Sequence, residues 1–222
     1  MYLSVLKLNP LSPNVRRDMS DVTEMHRTVM RAFPETEPGK NARQEYGVLY
    51  RLDVFRSTGE IWLYVQSRVE PNWERLPRYY VIEGDPEAIR MKSLTSAYAQ
   101  IHNGQALRFR LRANPTVKVD TKTREDGVRR NGRRVPVRGE ENQVKWLERK
   151  GKESGFELRQ VAIQRSGSAE LYRGREKNRV FQGVLYEGIL VVTDADLFRE
   201  ALQKGIGPAK AFGFGLLSVA PV

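Results

Sequence analysis

The chain has 222 residues, 40% of them hydrophobic, which suffices for one large domain or for two domains of about 100 residues. Thirty-eight Lys and Arg against twenty-seven Asp and Glu give a formal charge of +11, which favours a polyanionic partner over an acidic small molecule. With no cysteine and only two histidines, the sequence excludes disulfides, thiolate metal sites and clusters of imidazole ligands.

Nucleic acid and an anionic membrane surface are therefore the candidate partners. No apolar run approaches the ~20 residues that a membrane span needs, and the start MYLSVLKLNP predicts a strand rather than a signal peptide. We expect a cytoplasmic protein that needs no cofactor and no metal and takes no small-molecule ligand.

The first half predicts a β-α-β-β-α-β order over about 85 residues, with polar loops at 11–20 and 34–45. Asp21 followed by Glu24 is a helix start signal, and Pro34 stops that helix. The predicted strands are 2–8, 46–55, 60–67 and 79–82, the helix is 22–33, and 73–76 is a helical turn.

His26 lies at the edge of the apolar face of that predicted helix, between core and solvent. Arg27 and Arg31 lie on the polar flank beside it. A histidine titrates in the range that acid–base catalysis needs. A lone histidine at such an edge is, however, more often a core residue, so both interpretations stay open on the sequence alone. His102, in a polar connection, is expected to be an ordinary surface residue.

The second half repeats the strand and helix order after a connection at 83–105, so we predict an α+β protein with domains at 1–90 and 91–222. Its predicted strands are 107–111, 156–163, 169–172, 180–192 and 214–220, and its helices are 141–150 and 195–204. The segment 121–138 is basic without an apolar period and is expected to be a loop.

Two groups of basic residues in the second half are candidate contacts for a polyanionic partner. The first lies on a predicted hairpin turn and comprises Arg173, Arg175, Lys177 and Arg179. The second alternates along a predicted strand and comprises Arg108, Arg110 and Arg112. Both groups would also suit ordinary solvated surfaces, and the second group ranks below the first.

The segment from Gly205 to Gly215, here called the glycine segment, has four glycines in eleven residues beside Lys204 and Lys210. It matches neither nucleotide-binding fingerprint and runs from helix to strand, the reverse of their order. A helix cap followed by a tight turn explains it locally. A backbone surface against which a phosphate or a strand can lie is the other interpretation.

Six segments carry a resemblance to a known family. They are MYLSVLKLNP, EMHRTVMRAFP, LRFRLRANP, VKWLERK, VLYEGIL and GIGPAKAFGFGLLSVAP. In this order and spacing they resemble the CasE-type CRISPR repeat-RNA endoribonucleases over nearly the whole chain. The last segment and LRFRLRANP are the most specific.

The resemblance implies two tandem ferredoxin-like (RRM-type) domains with a C-terminal glycine-rich loop. It also implies a metal-independent endoribonuclease that cuts precursor CRISPR RNA at the base of a repeat hairpin and retains the product. The 2′-OH attacks the adjacent phosphate, giving a 5′-OH and a 2′,3′-cyclic or 3′ phosphate. The implied partners are the repeat stem-loop, the mature crRNA and the other subunits of the Cascade surveillance complex.

By the same resemblance, EMHR matches the motif with the catalytic histidine, so His26 is implied to be catalytic, with Arg27 and Arg31 near the scissile phosphate. The resemblance also places the hairpin arginines beside the RNA stem. The glycine segment is then expected to contribute RNA contacts from Gly207, Lys210, Gly213 and Gly215. Some members have a tyrosine three residues before the histidine, where this chain has Thr23, which leaves the second acid–base group unassigned.

Two other functions compete with this one. A non-catalytic subunit that binds an RNA hairpin would use the same basic surface, with His26 only packing. A basic protein that associates with ribosomes or DNA is a third and weaker candidate. No RNP aromatic motif occurs, so the usual single-strand platform of an RRM is not expected.

Overall fold

The computed structural model describes residues 1–119, 133–164, 170–174 and 179–222. The first half contains β1 (Tyr2–Leu8), α1 (Pro13–Ser20), α2 (Val22–Met30), α3 (Ala42–Glu45), β2 (Leu49–Phe55), β3 (Glu60–Ser67), a 3₁₀ turn (Trp73–Arg75), β4 (Ile89–Ser93) and α4 (Thr95–Ala99). The second half contains β5 (Ala106–Ala113), β6 (Thr116–Val119), β7 (Arg133–Pro136), α5 (Glu140–Glu153), β8 (Phe156–Gln164), β9 (Glu170–Gly174), β10 (Arg179–Val192), α6 (Ala195–Lys204), a 3₁₀ turn (Lys210–Phe212) and β11 (Leu217–Pro221).

Each half is built on a four-stranded antiparallel sheet, with the order β2-β3-β1-β4 in the first and β8-β10-β5-β11 in the second. The two orders are equivalent, because the first and third of the four named strands, counted along the chain, are central in both sheets and the second and fourth flank them. This is the order of a split β-α-β unit. The predicted α+β class with two sheets is confirmed.

The predicted fourth strand at 79–82 is wrong. Only Val81 forms an isolated bridge, to Leu8, while Tyr80 is buried and donates its hydroxyl hydrogen to Asp18 Oδ2 (2.8 Å). The edge strand is β4, which pairs with β1. Every residue of β4 is exposed, so it has no apolar alternation, and the predicted domain boundary at residue 90 falls inside it.

The predicted loop at 11–20 is also wrong, because α1 occupies most of it. Pro13 stands in the first turn, where a missing N–H costs nothing. Only Val15 and Asp18 of this helix are buried, and Asp18 also binds Arg17. The helix is thus stabilised by a polar contact to Tyr80, distant in sequence, that no local pattern shows.

The helices of the second half pack on one face of its sheet. Asp194 caps α6 as its position suggests, accepting hydrogen bonds from two backbone N–H groups of the first turn. In α5 the buried side chains include Trp146 and Leu147, so both residues belong to the core of the second half. Most of the predicted basic loop lies outside the described residues, and its last part is β7, paired with β6.

Candidate active site and nucleic-acid interface

His26 lies on α2, whose start is fixed by Asp21. The Asp21 side chain accepts a hydrogen bond from the Thr23 backbone N–H (2.9 Å), which satisfies one of the free donors of the first turn. Met25 and Val29 are buried against the first sheet, so the side chain one position beyond Met25 lies at the margin of the core. The structure therefore places His26 half-buried at the boundary, as the sequence predicts.

The imidazole of His26 is held without a strong partner. Its ring lies edge-on to Phe212, with 6.4 Å between centroids, and its buried Nδ1 atom has no hydrogen-bond partner among the described residues. Burial, then the positive charges of Arg43 and Arg27, lower the pKa of His26 below its ordinary value. The ring is therefore neutral at pH 7 and able to accept a proton.

A cleft of about 850 Å³ opens beside this imidazole. Its charged lining consists of His26, Glu35 and the four arginines Arg27, Arg31, Arg43 and Arg75. Arg27 forms an ion pair with Glu24 one turn earlier on α2. The structure thus brings together the three predicted catalytic residues, on one wall of a cleft with an excess of positive charge. Their catalytic roles stay predictions.

Arg43 is the residue of this cleft that the sequence analysis missed. It lies on the four-residue helix α3, inside the segment that was predicted to be a loop. Its guanidinium is half-buried and burial lowers its pKa; within the described part of the chain it donates a hydrogen bond only to the Val48 carbonyl (3.4 Å). The sequence does contain a signal for α3: Asn41 precedes Gln44 by three residues, which is a helix start pattern within a polar stretch.

The glycine segment leaves α6 in a tight turn, and its four glycines all have positive φ, between 75° and 88°. A side chain at Gly207 would meet the Trp146 ring at 2.9 Å, and one at Gly215 would meet the Ile206 carbonyl at 2.8 Å. At Gly213 the Tyr50 ring would be 3.1 Å away. The predicted cap and turn are therefore present, and glycine is required by packing. The RNA contacts stay predictions.

This segment also connects the two halves beside the histidine. The Tyr50 hydroxyl of β2 donates to the Ala211 carbonyl (3.0 Å), and Phe212 lies against His26. On its other side Phe212 stacks on Phe181 of β10, with 4.9 Å between ring centroids. Lys210 is half-buried in the same turn, and burial together with Arg43 lowers its pKa.

The predicted basic hairpin lies partly within the described residues. β9 pairs with β10 in antiparallel register, with Arg179 opposite Gly174, and β9 has Cα atoms within 8 Å of those of α2. The hairpin therefore stands beside the histidine helix. Arg175 and Lys177 lie outside the described residues, as do the side chains of Arg173 and Arg179, so their role in RNA binding stays a prediction.

The alternating arginines of β5 do not form the ordinary solvated surface that was one of the two interpretations from the sequence. Arg108 donates to the Pro221 carbonyl (3.0 Å), whereas Arg110 binds Glu187 (3.1 Å) and lies 3.6 Å from Asp53 of β2. Arg112 is nearly buried, 3.8 Å from the same Asp53 carboxylate. As RNA contacts they stay predictions, while the contacts of Arg110 and Arg112 with Asp53 join the two halves.

A buried ion pair on β2 completes that junction. Arg51 donates from Nε to both carboxylate oxygens of Asp53 (3.1 Å each) and from Nη1 to Ser218 Oγ (2.7 Å) on β11. Both charged residues are 2% exposed. We refer to Arg51, Asp53, Arg110, Arg112 and Glu187 as the interdomain cluster.

One further prediction concerns a residue outside this region. His102 is exposed, with Nδ1 3.1 Å from the Gln100 carbonyl, as expected for a surface residue. Within the described ranges no three His, Asp or Glu side chains come together as a metal ion would require. None of the described helices combines the length and apolar character that crossing a membrane requires.

Comparison with known proteins identifies the family. A family model described as CRISPR associated protein matches residues 1–221. The CRISPR-associated endoribonuclease Cse3 of Thermus thermophilus is 35% identical over 233 residues, which cover 100% of both chains. The chain belongs to the Cse3/CasE family of CRISPR-associated endoribonucleases. The resemblance drawn from the six sequence segments is thereby confirmed.

Other members of the Cse3/CasE family agree in sequence and in fold. The CRISPR system Cascade subunit CasE of Escherichia coli K12 is 39% identical over 126 residues, covering 55% of this chain and 62% of that protein. This chain superposes on the structure of Thermus thermophilus Cse3 bound to an RNA representing a pre-cleavage complex with a TM-score of 0.78 and 33% sequence identity. The superposition covers 99% of this chain and 98% of the Cse3 chain.

Proposed function

We propose that this Cse3/CasE protein is a metal-independent endoribonuclease of precursor CRISPR RNA. It binds the repeat stem-loop, cleaves at the base of the hairpin and keeps the mature crRNA as a subunit of the Cascade surveillance complex. Full-length similarity to an endoribonuclease, the RNA held by a solved relative and the name of the Escherichia coli relative support this proposal.

One observation carries the catalytic part of the proposal. The half-buried His26, with its pKa lowered, faces a cleft whose lining has four arginines and one glutamate. A neutral imidazole is the form of histidine that removes a proton, and cations beside it are what a reacting phosphate needs. A histidine that served only packing would require neither the cleft nor the arginines.

The chemistry follows from these groups. His26 accepts the proton of the ribose 2′-OH, and the 2′-oxygen forms a bond to phosphorus while the bond from phosphorus to the 5′-oxygen breaks. Arg43, with Arg27 and Arg31, stabilises the negative charge that grows on the non-bridging phosphoryl oxygens. The products are a 2′,3′-cyclic phosphate, or the 3′ phosphate formed on its opening, and a 5′-OH after the departing oxygen gains a proton.

Thr23 takes no part in this proton transfer. An aliphatic hydroxyl is a much weaker acid than the phenol that some relatives have at this position. The leaving oxygen therefore depends on another donor, and the cleavage step depends mainly on the base and on the cations. This departure favours the competing function, a hairpin-binding subunit that does not cut.

The deciding experiment incubates the purified protein and its His26→Ala variant with a labelled repeat hairpin under single-turnover conditions, with and without EDTA. We expect the wild type to cut at one position in both buffers, and the variant to lose cleavage by about 10²-fold or more while hairpin affinity is kept. Intact RNA with the wild type would support the non-catalytic subunit. Cutting by the variant at the wild-type rate would remove His26 from the mechanism.

A further inference from the structure

A second basic cleft, which shares only residues of the glycine segment with the predicted RNA contacts, lies on the helical side of the second half. Its volume is about 770 Å³, and α5, α6, the β6–β7 hairpin and the glycine segment form its walls. Its charged lining comprises Lys118, Arg134, Arg149, Lys150, Lys204 and Lys210 against Glu153 and Glu200. Six cations against two carboxylates leave an excess of four positive charges.

The cations on the helices of this cleft are paired, but weakly. Arg149 and Lys150 both bind Glu153, and Lys204 binds Glu200, at spacings of three or four residues along exposed helix faces. Such exposed pairs contribute little to stability in water, because solvent and salt screen the charges. An entering anion can therefore exchange places with these carboxylates at small cost.

The cations on the hairpin wall have no acid at all among the described residues. Lys118 and Arg134 are direct cross-strand partners in the antiparallel β6–β7 ladder, so both exposed side chains lie on the same face. Arg134 donates only to Thr116 Oγ1 (3.2 Å). Like charges placed directly opposite each other destabilise a hairpin, so a bound anion between them would remove an unfavourable contact.

Lys210 connects this cleft to the site of cleavage. It lines the second cleft, and the 3₁₀ turn that it begins packs beside α2, which carries His26, while Arg43 lines the cleft next to His26. Phe212, two residues later, touches the His26 ring. A basic track therefore runs from His26 past Arg43 and Lys210 into the second cleft.

We infer that the second cleft binds the single-stranded RNA that adjoins the hairpin, with its phosphates following Lys210 toward Lys118 and Arg134. This inference rests on the proposed function, which places the base of the hairpin at His26. A single strand can bend around the glycine segment and present its phosphates one at a time, whereas an A-form stem is straight and wide.

The test uses a Lys118→Ala/Arg134→Ala double variant and RNAs with a 2′-deoxy group at the scissile position. One RNA is the hairpin alone, and two others carry a short single strand at its 5′ or 3′ side. The matched control, Arg56→Ala/Lys92→Ala, removes the same charge from exposed positions outside both clefts. Affinities are measured over a range of salt concentrations, and thermal unfolding shows that both variants are folded.

We expect the double variant to lose affinity about tenfold for one of the extended RNAs, with the salt slope for that RNA reduced by about 1.4, since two phosphate contacts at about 0.7 each are removed. Hairpin affinity and the control variant should stay at wild-type values. An equal loss for the hairpin alone would assign the cleft to the stem instead. If the double variant binds all three RNAs as tightly as the wild type, the inference is overturned, whether or not binding of other Cascade subunits is lost.

These outcomes separate the two proposals. If the wild type does not bind or cut the repeat hairpin, the proposed function fails. If it binds and cuts while the double variant behaves as wild type on every RNA, only the second cleft is wrong.

Discussion

One group of arginines lies in the junction between the halves and another lines the His26 cleft, and they differ in how far carboxylates neutralise them. In the interdomain cluster, Arg51 is 2% exposed and binds Asp53 through both carboxylate oxygens. Arg110 binds Glu187 at 3.1 Å. Every arginine of this cluster lies within 4 Å of a carboxylate oxygen of Asp53. These ion pairs stabilise the contact between the two sheets.

Two cations close to α2 have the opposite arrangement. Arg43 and Lys210 are half-buried, and neither forms an ion pair with an acid among the described residues. Burial lowers the pKa of His26, Arg43 and Lys210 alike. Partly desolvated cations without an acid partner favour binding of an anion, because the anion supplies the neutralising negative charge. The absence of an acid partner for Arg43 and Lys210 among the described residues distinguishes these two cations from the arginines of the interdomain cluster.

The largest effect that tests this contrast is expected from Asp53→Ala. Removing the carboxylate leaves the buried Arg51 charge without its partner, which should lower the free energy of unfolding by about 3–5 kcal/mol. Chemical denaturation measures it, with Arg56→Ala as an exposed control. A loss under 1 kcal/mol would mean that the junction does not depend on this pair.

Arg43→Ala should act on rate instead of stability. We expect single-turnover cleavage to slow by about 10²–10³-fold, as for loss of one donor to a developing charge, with the unfolding transition unchanged. Arg43→Lys keeps the charge and should restore part of the rate. If both variants cut at the wild-type rate, the arginine serves only the local structure of α3.

Gly213→Ala should have an intermediate effect on stability. The φ of Gly213 is 83° and the Tyr50 ring would lie 3.1 Å from a new Cβ, so strain and contact together should cost about 1–3 kcal/mol. Gly59→Ala is the matched control, with φ of 74° and nothing within 4 Å, so it reports backbone strain alone. Equal losses in the two variants would show that the Tyr50 contact does not matter.

The smallest effect concerns pH. A base whose pKa is lowered is deprotonated at a lower pH, so cleavage at sub-saturating protein should rise to its plateau with a midpoint below the ordinary histidine value of about 6.5. Arg43→Ala removes one positive charge that lowers this pKa and should move the midpoint upward. A wild-type midpoint above the ordinary value would contradict the neutral imidazole.

The sequence predicts those elements whose stability is encoded locally. The Asp21 cap and the apolar face of α2 are visible as a pattern, and they suffice to place His26 at the core margin. By contrast, α1 depends on the contact between Asp18 and Tyr80, and β4 has no buried residue to give it a period. Such elements exist because of distant partners, which a local pattern does not contain.

The same limit applies to the site. His26 and its neighbouring arginines share one helix and could be predicted together, with the family resemblance raising the histidine above an ordinary core residue. Arg43 lines the cleft from a different element, α3, and Phe212, which packs against the His26 ring, belongs to the other half of the chain. The pairing of Arg110 and Arg112 with Asp53 likewise depends on how the halves pack, so their alternation alone could not distinguish a junction from an RNA surface.

The most direct test of His26 as the base uses a repeat hairpin whose leaving 5′-oxygen is replaced by sulfur. Thiolate leaves without protonation, so such an RNA no longer needs an acid but still needs a base. We expect His26→Ala to remain as defective on this RNA as on the natural one, with the wild type cutting both. Cleavage of the sulfur-containing RNA by His26→Ala at close to the wild-type rate would instead make His26 the acid and contradict the central claim.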